Sequence, residues 1–108
     1  MARALFAGID VSALSCQLVC LDEQGQQLGP ARSFANDLEG ASALVQALDS
    51  LAREFQVQTL HIGLEATSVY GVHLREFLLE ALELKPYSPR VYEINPILVA
   101  GFKKAFGA

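Results

Sequence analysis

Short apolar segments rich in strand-forming residues predict three strands in the first part of the chain. Residues 4–11 are apolar and rich in strand formers, with Asp10 as their one charge, which is typical of a strand buried on both faces. A second strand is predicted over residues 16–21. A third is predicted over residues 27–34, where Gly29-Pro30 favours an edge position because proline cannot donate a backbone hydrogen bond.

A turn of the sequence Asp-Glu-Gln-Gly separates the second and third of these strands. Gly25 closes this turn, and glycine adopts a positive φ at no steric cost. The flanking strands are therefore expected to form a hairpin.

After residue 35 the apolar spacing lengthens to three and four residues, which predicts a helix. Asn36 is the expected N-cap, and Glu39 completes a capping box three residues later. The predicted buried face consists of Leu38, Ala41, Leu44, Val45, Leu48, Leu51, Ala52 and Phe55.

Strand and helix then alternate to the end of the chain. A fourth strand over residues 59–64 ends on Glu65, and a fifth is expected over residues 90–94. Between them lies a helix capped by Thr67 or Ser68, followed by a loop at residues 85–89 whose two prolines oppose helix. The predicted buried face of this helix comprises Tyr70, Leu74, Phe77, Leu78, Ala81 and Leu82. A short helix is expected from Asn95-Pro96 to about Phe106.

This order, β-β-β-α-β-α-β-α, predicts an α/β fold built on one five-stranded mixed sheet. The first three strands form an antiparallel meander, and the alternation that follows requires parallel pairing with right-handed crossovers. The first strand should lie between the meander and the parallel half, with helices on the faces of the sheet.

Composition and charge narrow the class of protein. A chain of 108 residues with 52% hydrophobic content fits one compact domain and is too apolar for intrinsic disorder. The net charge of −4 argues against binding nucleic acid by bulk positive charge alone. No apolar run approaches the ~20 residues of a membrane span, so we expect a soluble, cytoplasmic protein.

Charge is unevenly distributed along the chain. Residues 1–84 carry a net charge of −7 and residues 85–108 a net charge of +3. The C-terminal quarter is therefore where a polyanion would be met. Lys103 and Lys104 are candidate contacts to a nucleic-acid backbone, although a solvated helix end explains them equally well.

Cys16 and Cys20 stand four residues apart on a predicted strand. At ~3.3 Å per residue they lie too far apart for a disulfide. Because both face the same side, we expect buried structural thiols. His61 and His73 have no ligand partner at metal-site spacing, which favours a structural function for both.

The candidate chemistry is carried by two acids at strand ends. Asp10 closes the first strand and Glu65 the fourth, and a buried lone carboxylate needs a cation, a hydrogen-bond set or water. If these strands are parallel neighbours about 4.8 Å apart, the two carboxylates lie at the C-terminal edge, where such sheets hold ligands. They could then share one Mg²⁺, as in phosphodiester chemistry. The alternative is that each acid simply ends a strand and faces solvent.

Four short segments, taken in order, resemble one family of proteins. They are Phe6-Ala7-Gly8-Ile9-Asp10-Val11-Ser12, the Asn36-to-Gly40 segment, Leu64-Glu65-Ala66-Thr67-Ser68-Val69-Tyr70-Gly71, and Tyr92-Glu93-Ile94-Asn95-Pro96 with the residues after it. Together they resemble the DEDD transposases of insertion sequences, which have a RuvC-like, ribonuclease H-like catalytic domain. The resemblance spans nearly the whole chain.

The resemblance implies a function and a cofactor. Members cut and join DNA strands with Mg²⁺ held by four acids, and Asp10 and Glu65 match the first two. The other two acids and a nucleophilic serine lie in segments that this chain does not contain, so it is expected to be the N-terminal part, residues 1–108, of a longer transposase. Some members are guided by an RNA. We expect the full-length protein to be a homo-oligomer.

Two positions depart from the family pattern, and one serine has two interpretations. Ala13 stands where the family usually has lysine, which removes a phosphate contact, and Ser68 replaces the usual glycine. Neither change touches the acids. Ser12 could contact a phosphate, although a serine after a strand is more often a turn residue, which we favour.

Two other functions stay open at this point. Actin-like and sugar-kinase ATPases begin with a similar strand, but their phosphate-binding hairpin normally offers a glycine, which residues 11–15 lack. A non-enzymatic interaction module that self-associates is the other alternative. ATP-dependent thermal stabilisation would favour the former, and concentration-dependent sedimentation the latter.

We expect the chain of residues 1–108 to be inactive on its own, because two acids make half of the family's metal site. The purified chain should show weak or absent Mn²⁺ binding and no DNA nicking. Magnesium-dependent nicking by this chain would contradict that expectation.

Overall fold

The structure, a computed structural model, describes residues 3–65 and 72–94. Within these ranges it contains one five-stranded sheet, two α-helices and a 3₁₀ helix. The strands are β1 (Ala4–Val11), β2 (Ser15–Leu21), β3 (Arg32–Ala35), β4 (Thr59–Glu65) and β5 (Arg90–Ile94), and the helices are α1 (Leu38–Glu54), α2 (Val72–Glu80) and the 3₁₀ helix Leu82–Tyr87.

The sheet has the predicted mixed topology. Its strand order is β3-β2-β1-β4-β5. β1 pairs antiparallel with β2, and β2 with β3, whereas β4 runs parallel to both β1 and β5. The prediction that the first strand joins the meander to the parallel half is confirmed.

One aspartate stabilises the turn of the hairpin that β2 and β3 form. Asp22 Oδ1 accepts the backbone N–H groups of Gln24 and Gln26 at 2.9 Å each. Gly25 adopts φ 82°, a conformation that L side chains rarely adopt. The predicted turn is thus confirmed in position and in mechanism.

One continuous core lies between the sheet and the helices. Alternate side chains of the long strands point into it, as the period of two requires. The core includes Leu5, Ala7, Ile9, Val11, Leu18, Leu60, Ile62 and Leu64 from the sheet and Leu44, Val45, Leu48, Leu74, Leu78 and Leu84 from the helices. The described helices therefore all pack on the same face of the sheet.

The third strand is shorter than predicted. It spans only Arg32–Ala35, and the residues before it contribute a single bridge between Leu21 and Gln27. Gly29 adopts φ 76° and Pro30 lacks a donor, so the chain leaves the ladder at this point. The predicted strand over residues 27–34 was wrong in its first half.

The cap of α1 is Asp37 and not Asn36. Asp37 Oδ1 accepts the N–H of Gly40 at 2.7 Å, which satisfies one of the unpaired donors of the first turn. Asn36 is instead bonded to the turn after β1. The predicted cap was one residue early, and Leu38, expected on the buried face, is 71% exposed.

The region around the two prolines also differs from the prediction. The chain forms a 3₁₀ helix over Leu82–Tyr87 that contains Pro86, where a loop was expected at its end. Ala81 between α2 and the 3₁₀ helix adopts an extended conformation, and after this break Leu82 is 79% exposed whereas Leu84 is completely buried. The interval of 3.6 residues used in the prediction does not hold there.

A hydrogen bond fastens this 3₁₀ helix to α1. Tyr87 Oη donates to Asp49 Oδ1 at 2.7 Å, and Arg53 Nε donates to the same oxygen at 3.1 Å. The bond between Tyr87 and Asp49 links positions 38 residues apart and so holds the 3₁₀ helix against α1.

Several predicted features lie outside the described residues. These are the cap at Thr67 or Ser68, Tyr70, and the helix after Asn95-Pro96 with Lys103 and Lys104. Within the described ranges, none of the helices is long and apolar enough to cross a membrane.

Both cysteines are free and buried, as predicted. Burial raises the pKa of the Cys20 thiol to about 12, although nearby Arg32 partly lowers it. Burial is also the main cause that raises the pKa of Cys16.

We predict that these thiols make the fold less stable at alkaline pH. Between the ordinary thiol pKa of 9.0 and about 12, the unfolded Cys20 loses a proton that the folded one keeps. The free energy of unfolding should therefore fall as pH rises, by up to about 1.4 kcal/mol per pH unit. Urea unfolding at about pH 8 and about pH 10.5 should show a larger fall for the wild type than for Cys20→Ala. An equal fall in both proteins would contradict the prediction.

Candidate active site

The two predicted acids come from strands that are neighbours in the sheet and run in the same direction. The β1–β4 register places Ile9 beside Leu64. Asp10 and Glu65 each follow by one residue, so they stand level at the C-terminal edge of the two strands. Neighbouring strands lie about 4.8 Å apart, so the backbone positions that carry the two acids are close to each other at this edge.

Both acids also lie on the same face of the sheet. In β1 the core side chains include Ile9 and Val11, and in β4 they include Leu64. Asp10 lies between Ile9 and Val11, and Glu65 follows Leu64; both acids are partly buried. Because successive side chains of a strand point to opposite faces, both acids point away from the core and its helices. The sequence-based hypothesis required this placement.

An aromatic row crosses the same face further from the edge. The rings of Phe6 and His61 stack at 4.9 Å with an interplanar angle of 13°. His61 and Tyr92 follow at 6.1 Å and 14°, and Tyr92 Oη lies 3.4 Å from His61 Nδ1. His61 therefore joins three strands by ring packing, which sequence reasoning identified only as a structural function.

Two glycines separate the aromatic row from the acids. Gly8 of β1 pairs with Gly63 of β4, and both precede an acid by two residues. Because neither glycine has a side chain, another group can approach the backbone closely at this pair. We call the Gly8–Gly63 pair the glycine floor. This feature was missed in the sequence, although Gly-x-Asp and Gly-x-Glu at two strand ends were the available signal.

The negative charge of Asp10 affects the thiol of Cys16 on the adjacent strand β2. The pKa of Cys16 is raised first by burial and second by the carboxylate of Asp10, because a nearby negative charge opposes formation of a thiolate. Asp10 itself pairs in register with Gln17 of β2.

The turn that follows Asp10 is held by its own serines. Ser12 Oγ accepts the N–H of Ser15 at 3.1 Å and lies 3.0 Å from the carbonyl oxygen of Ser15, and the Ser12 N–H donates to the same oxygen at 2.8 Å. These bonds support the turn function of Ser12 and engage the hydroxyl that a phosphate contact would use.

Asn36 joins this turn to the start of α1. Its side-chain Nδ2 donates to the carbonyl oxygen of Ser12 at 2.7 Å, and its backbone N–H donates to that of Leu14 at 3.0 Å. The residue that was predicted to cap a helix therefore positions the segment directly after Asp10.

Gly40 permits the close contact that this connection needs. A Cβ atom added at Gly40 would overlap the backbone carbonyl group of Ala35. The first turn of α1 thus packs directly on the backbone at the end of β3, and this contact fixes where α1 begins relative to β3.

The donor set suits a hard cation. In the part of the chain that the structure describes, no group of three or more His, Cys, Asp or Glu side chains could hold a metal ion. Magnesium is usually bound through one or two carboxylates together with water and substrate phosphates. A pair of carboxylates at one edge therefore fits Mg²⁺ better than zinc, which prefers four nitrogen or sulfur ligands.

Comparison with known protein families identifies the group. A family model described as "Transposase", that of the DEDD transposases, matches residues 7–106. The chain belongs to the DEDD transposase family. The matched range includes Asp10, Glu65, the Asn36-to-Gly40 segment and β5. A search of the curated proteins gave no match.

Solved structures share the fold of this transposase domain. Thermus thermophilus RuvC in complex with a Holliday junction substrate has a TM-score of 0.57 and 13% identity, covering 96% of this chain and 79% of that one. RNase H1 from Halobacterium salinarum gives 0.58 and 12%, covering 90% and 89%. The ribonuclease H-like fold class is thus confirmed.

The same fold also occurs in a protein of a different kind. A Bacteroides thetaiotaomicron protein with an actin-like ATPase fold has a TM-score of 0.57 and 17% identity, covering 94% of this chain but 37% of that one. The fold alone therefore does not separate the transposase family from proteins with the actin-like ATPase fold. Membership in the transposase family does, and the turn over residues 11–15 contains no glycine.

We predict that Gly40→Ala destabilises the domain far more than a helix-interior glycine usually would. Alanine normally favours a helix by about 1 kcal/mol, but here its Cβ must displace the backbone of Ala35. The cost should reach about 3 kcal/mol or more, measured by urea unfolding. The matched control, Ser42→Ala on an exposed position of the same helix, should stay within about 0.5 kcal/mol of the wild type. Equal stability of Gly40→Ala and the wild type would contradict the packing described.

Proposed function

We propose that this domain is the N-terminal part of a catalytic domain that cuts and joins DNA strands during transposition, with Asp10 and Glu65 as catalytic metal-binding acids. The observation that supports this most strongly is their level placement on one face of parallel neighbouring strands. Membership in the transposase family supplies the reaction class. The RuvC structure with its Holliday junction substrate supports DNA as the partner of this chain as well.

The carboxylates contribute fixed negative charge at the edge of a rigid sheet. Both are anchored in strands whose neighbours are buried core residues, so the backbone beneath them does not need to rearrange on binding. Proteins favour phosphoryl chemistry mainly through preorganised positive charge, such as a bound cation, and the function proposed for the two carboxylates is to hold that cation. A cation is required for a DNA phosphate to approach two carboxylates, because the three groups are all negative.

The cofactor we propose is Mg²⁺, held by Asp10 and Glu65 with further ligands from outside the described residues. When bound, it supplies activation of the attacking water or hydroxyl and stabilisation of the leaving oxygen. Gly8 and Gly63 keep the adjacent surface low, so that a sugar–phosphate backbone can approach the acids without steric conflict.

The remaining parts of the proposal concern the full-length protein. We propose that it acts in the cytoplasm as a homo-oligomer, and that a guide RNA is a second nucleic-acid partner, as in some family members. Lys103 and Lys104 remain proposed contacts to the nucleic-acid backbone. Ser12 is a weaker candidate because its hydroxyl is bonded to Ser15.

We predict that Asp10→Asn and Glu65→Gln each reduce Mg²⁺-dependent DNA cleavage by the full-length transposase at least about 100-fold, since each removes a charge that holds the cation. Folding should be retained, because both positions are only partly buried. Cleavage of a labelled DNA substrate is the measurement, with circular dichroism as the check on folding.

Two exposed acids offer matched controls. Glu23→Gln in the β2–β3 turn and Glu54→Gln at the end of α1 change the same charge on positions away from the edge. Both should leave the cleavage rate within about twofold of the wild type. Full activity of either Asp10→Asn or Glu65→Gln would contradict the proposed function.

A further inference from the structure

The aromatic row of Phe6, His61 and Tyr92 lies on the same face of the sheet as the two acids. The helices of the described ranges pack on the opposite face, so they leave the row uncovered. Phe6 is 38% and Tyr92 is 47% exposed, although the core side chains of the same sheet are almost completely buried. Exposed rings that lie together, unlike single ones, indicate a binding surface.

The rings of the row face one another across the strands. Phe6 and His61 pair in register, and their ring centroids are 4.9 Å apart with 13° between the planes, close to the strand spacing of about 4.8 Å. The line through the stacked rings therefore runs across the sheet. Tyr92 is next in the row and lies on β5, the last strand of the described sheet. Its inner ring face is directed at His61, and no described strand lies beyond its outer ring face.

The outer ring face of Tyr92 suits a nucleobase. Bases of any sequence stack on aromatic side chains, because every base has a π-face. Tyr92 Oη lies 3.4 Å from His61 Nδ1, so the ring has a partner that orients it before a base arrives. A base inside a duplex is covered on both faces by its neighbours, which favours a single strand at this position.

The glycine floor joins the row to the acids. Tyr92 pairs in register with Gly63, and Glu65 follows Gly63 by two residues, about 6.6 Å along the strand. A single sugar–phosphate unit spans a distance of this size. Because Gly8 stands beside Gly63 in the register, neither β1 nor β4 places a side chain in the way at this level. A base on Tyr92 can therefore have its phosphate at the acid edge.

Arg90 adds a positive charge to this face. It pairs in register with His61, so it lies on the same face of the sheet as the row, and it is exposed. Lysine and arginine side chains near DNA phosphates supply most of the affinity that does not depend on sequence. Arg90 thus favours a polyanion along β5, and the cation proposed between Asp10 and Glu65 offsets the repulsion from the acids.

We propose that a base of single-stranded DNA stacks on the outer ring face of Tyr92, with its sugar over the glycine floor and its phosphate toward the cation held by Asp10 and Glu65. This inference deepens the proposed function, because it rests on DNA lying at the acid edge. Binding depends on stacking and on the charge of Arg90, and it does not depend on base sequence. The stacked base fixes the position of the strand relative to the acids.

The test is an NMR titration of the 108-residue chain, at low salt and without metal, with the hexamer dA6 and with an abasic sugar–phosphate hexamer. We expect saturable shifts of the ring protons of Tyr92 and His61 with dA6. The abasic chain should bind at least about fivefold more weakly, because it has no base to stack. Equal binding of the two ligands, or unshifted Tyr92 ring protons at saturating dA6, would overturn the proposal.

Two substitutions of Tyr92 separate stacking from apolar bulk. Tyr92→Phe keeps the ring and should bind dA6 within about twofold of the wild type, whereas Tyr92→Leu should bind it at least about fivefold more weakly. Neither should change binding of the abasic chain. Unchanged dA6 binding by Tyr92→Leu would overturn the proposal. The comparison of dA6 with the abasic chain on the wild type does not depend on either variant folding.

A charge substitution tests where the backbone of the DNA lies. Arg90→Gln should weaken dA6 and the abasic chain by the same factor, about threefold or more at low salt, because it removes attraction to phosphate. The matched control, Arg75→Gln, removes the same charge from an exposed position of α2, on the helix side of the sheet. It should change both affinities less than about twofold. Equal effects of the two substitutions would contradict a strand along β5.

The outcomes separate this inference from the proposed function. Ring shifts of Phe6 and Tyr92 that follow protein concentration without DNA would identify a second copy on the row and overturn the proposal. Because the titration contains no metal, the absence of base-dependent shifts would overturn the base site and leave the metal-site proposal standing. Base-dependent shifts would support the base site even if Asp10→Asn left cleavage by the full-length transposase unchanged, the result that contradicts the proposed function.

Discussion

The parallel pairing of β1 with β4 is the constraint on which the candidate site depends. A parallel pair cannot be joined by a tight turn, so the chain must first cross the sheet through α1. That crossing brings residues 55 positions apart into register, as Ile9 and Leu64 show. The two acids follow this pair and face away from the core. Neither strand could carry the site alone.

The second structural requirement is a fixed start for α1. α1 follows β3 and packs across the face of the sheet opposite to the acids. Three residues determine where it begins. Asp37 caps it, Gly40 lets it rest on Ala35, and Asn36 attaches the segment to Ser12. These contacts give the turn after Asp10 a defined position.

Periodicity was sufficient to predict the sheet, because buried strands and amphipathic helices leave strong patterns. β1 was predicted to the residue, and the strand order followed from connection rules. The errors occurred where a local bond or steric contact decided the outcome. Asn36 and Asp37 are both good caps, and only the acceptor at Ser12 separates their functions. Leu82 was expected on the buried face, but α2 ends at Glu80 and Ala81 adopts an extended conformation, so the helical period does not continue to Leu82.

The acids could be predicted from sequence, but their common face could not. Strand ends were recognisable from composition, whereas the shared face depends on the β1–β4 register, and a shift of one residue would turn one acid into the core. The aromatic row and the glycine floor were missed for the same reason. Each combines residues from two or three strands that only the register brings together.

The β1–β4 register is tested most directly by a cross-strand disulfide. Cysteines at neighbouring level positions fall within disulfide range, about 4.4–6.8 Å between α-carbons. The Asp10→Cys, Glu65→Cys double variant should therefore form an intramolecular disulfide under mild oxidation while remaining folded. The Asp10→Cys, His61→Cys control, with positions about 13 Å apart along the strands, should not. Failure of a folded Asp10→Cys, Glu65→Cys variant to form the bond would contradict the placement of the two acids.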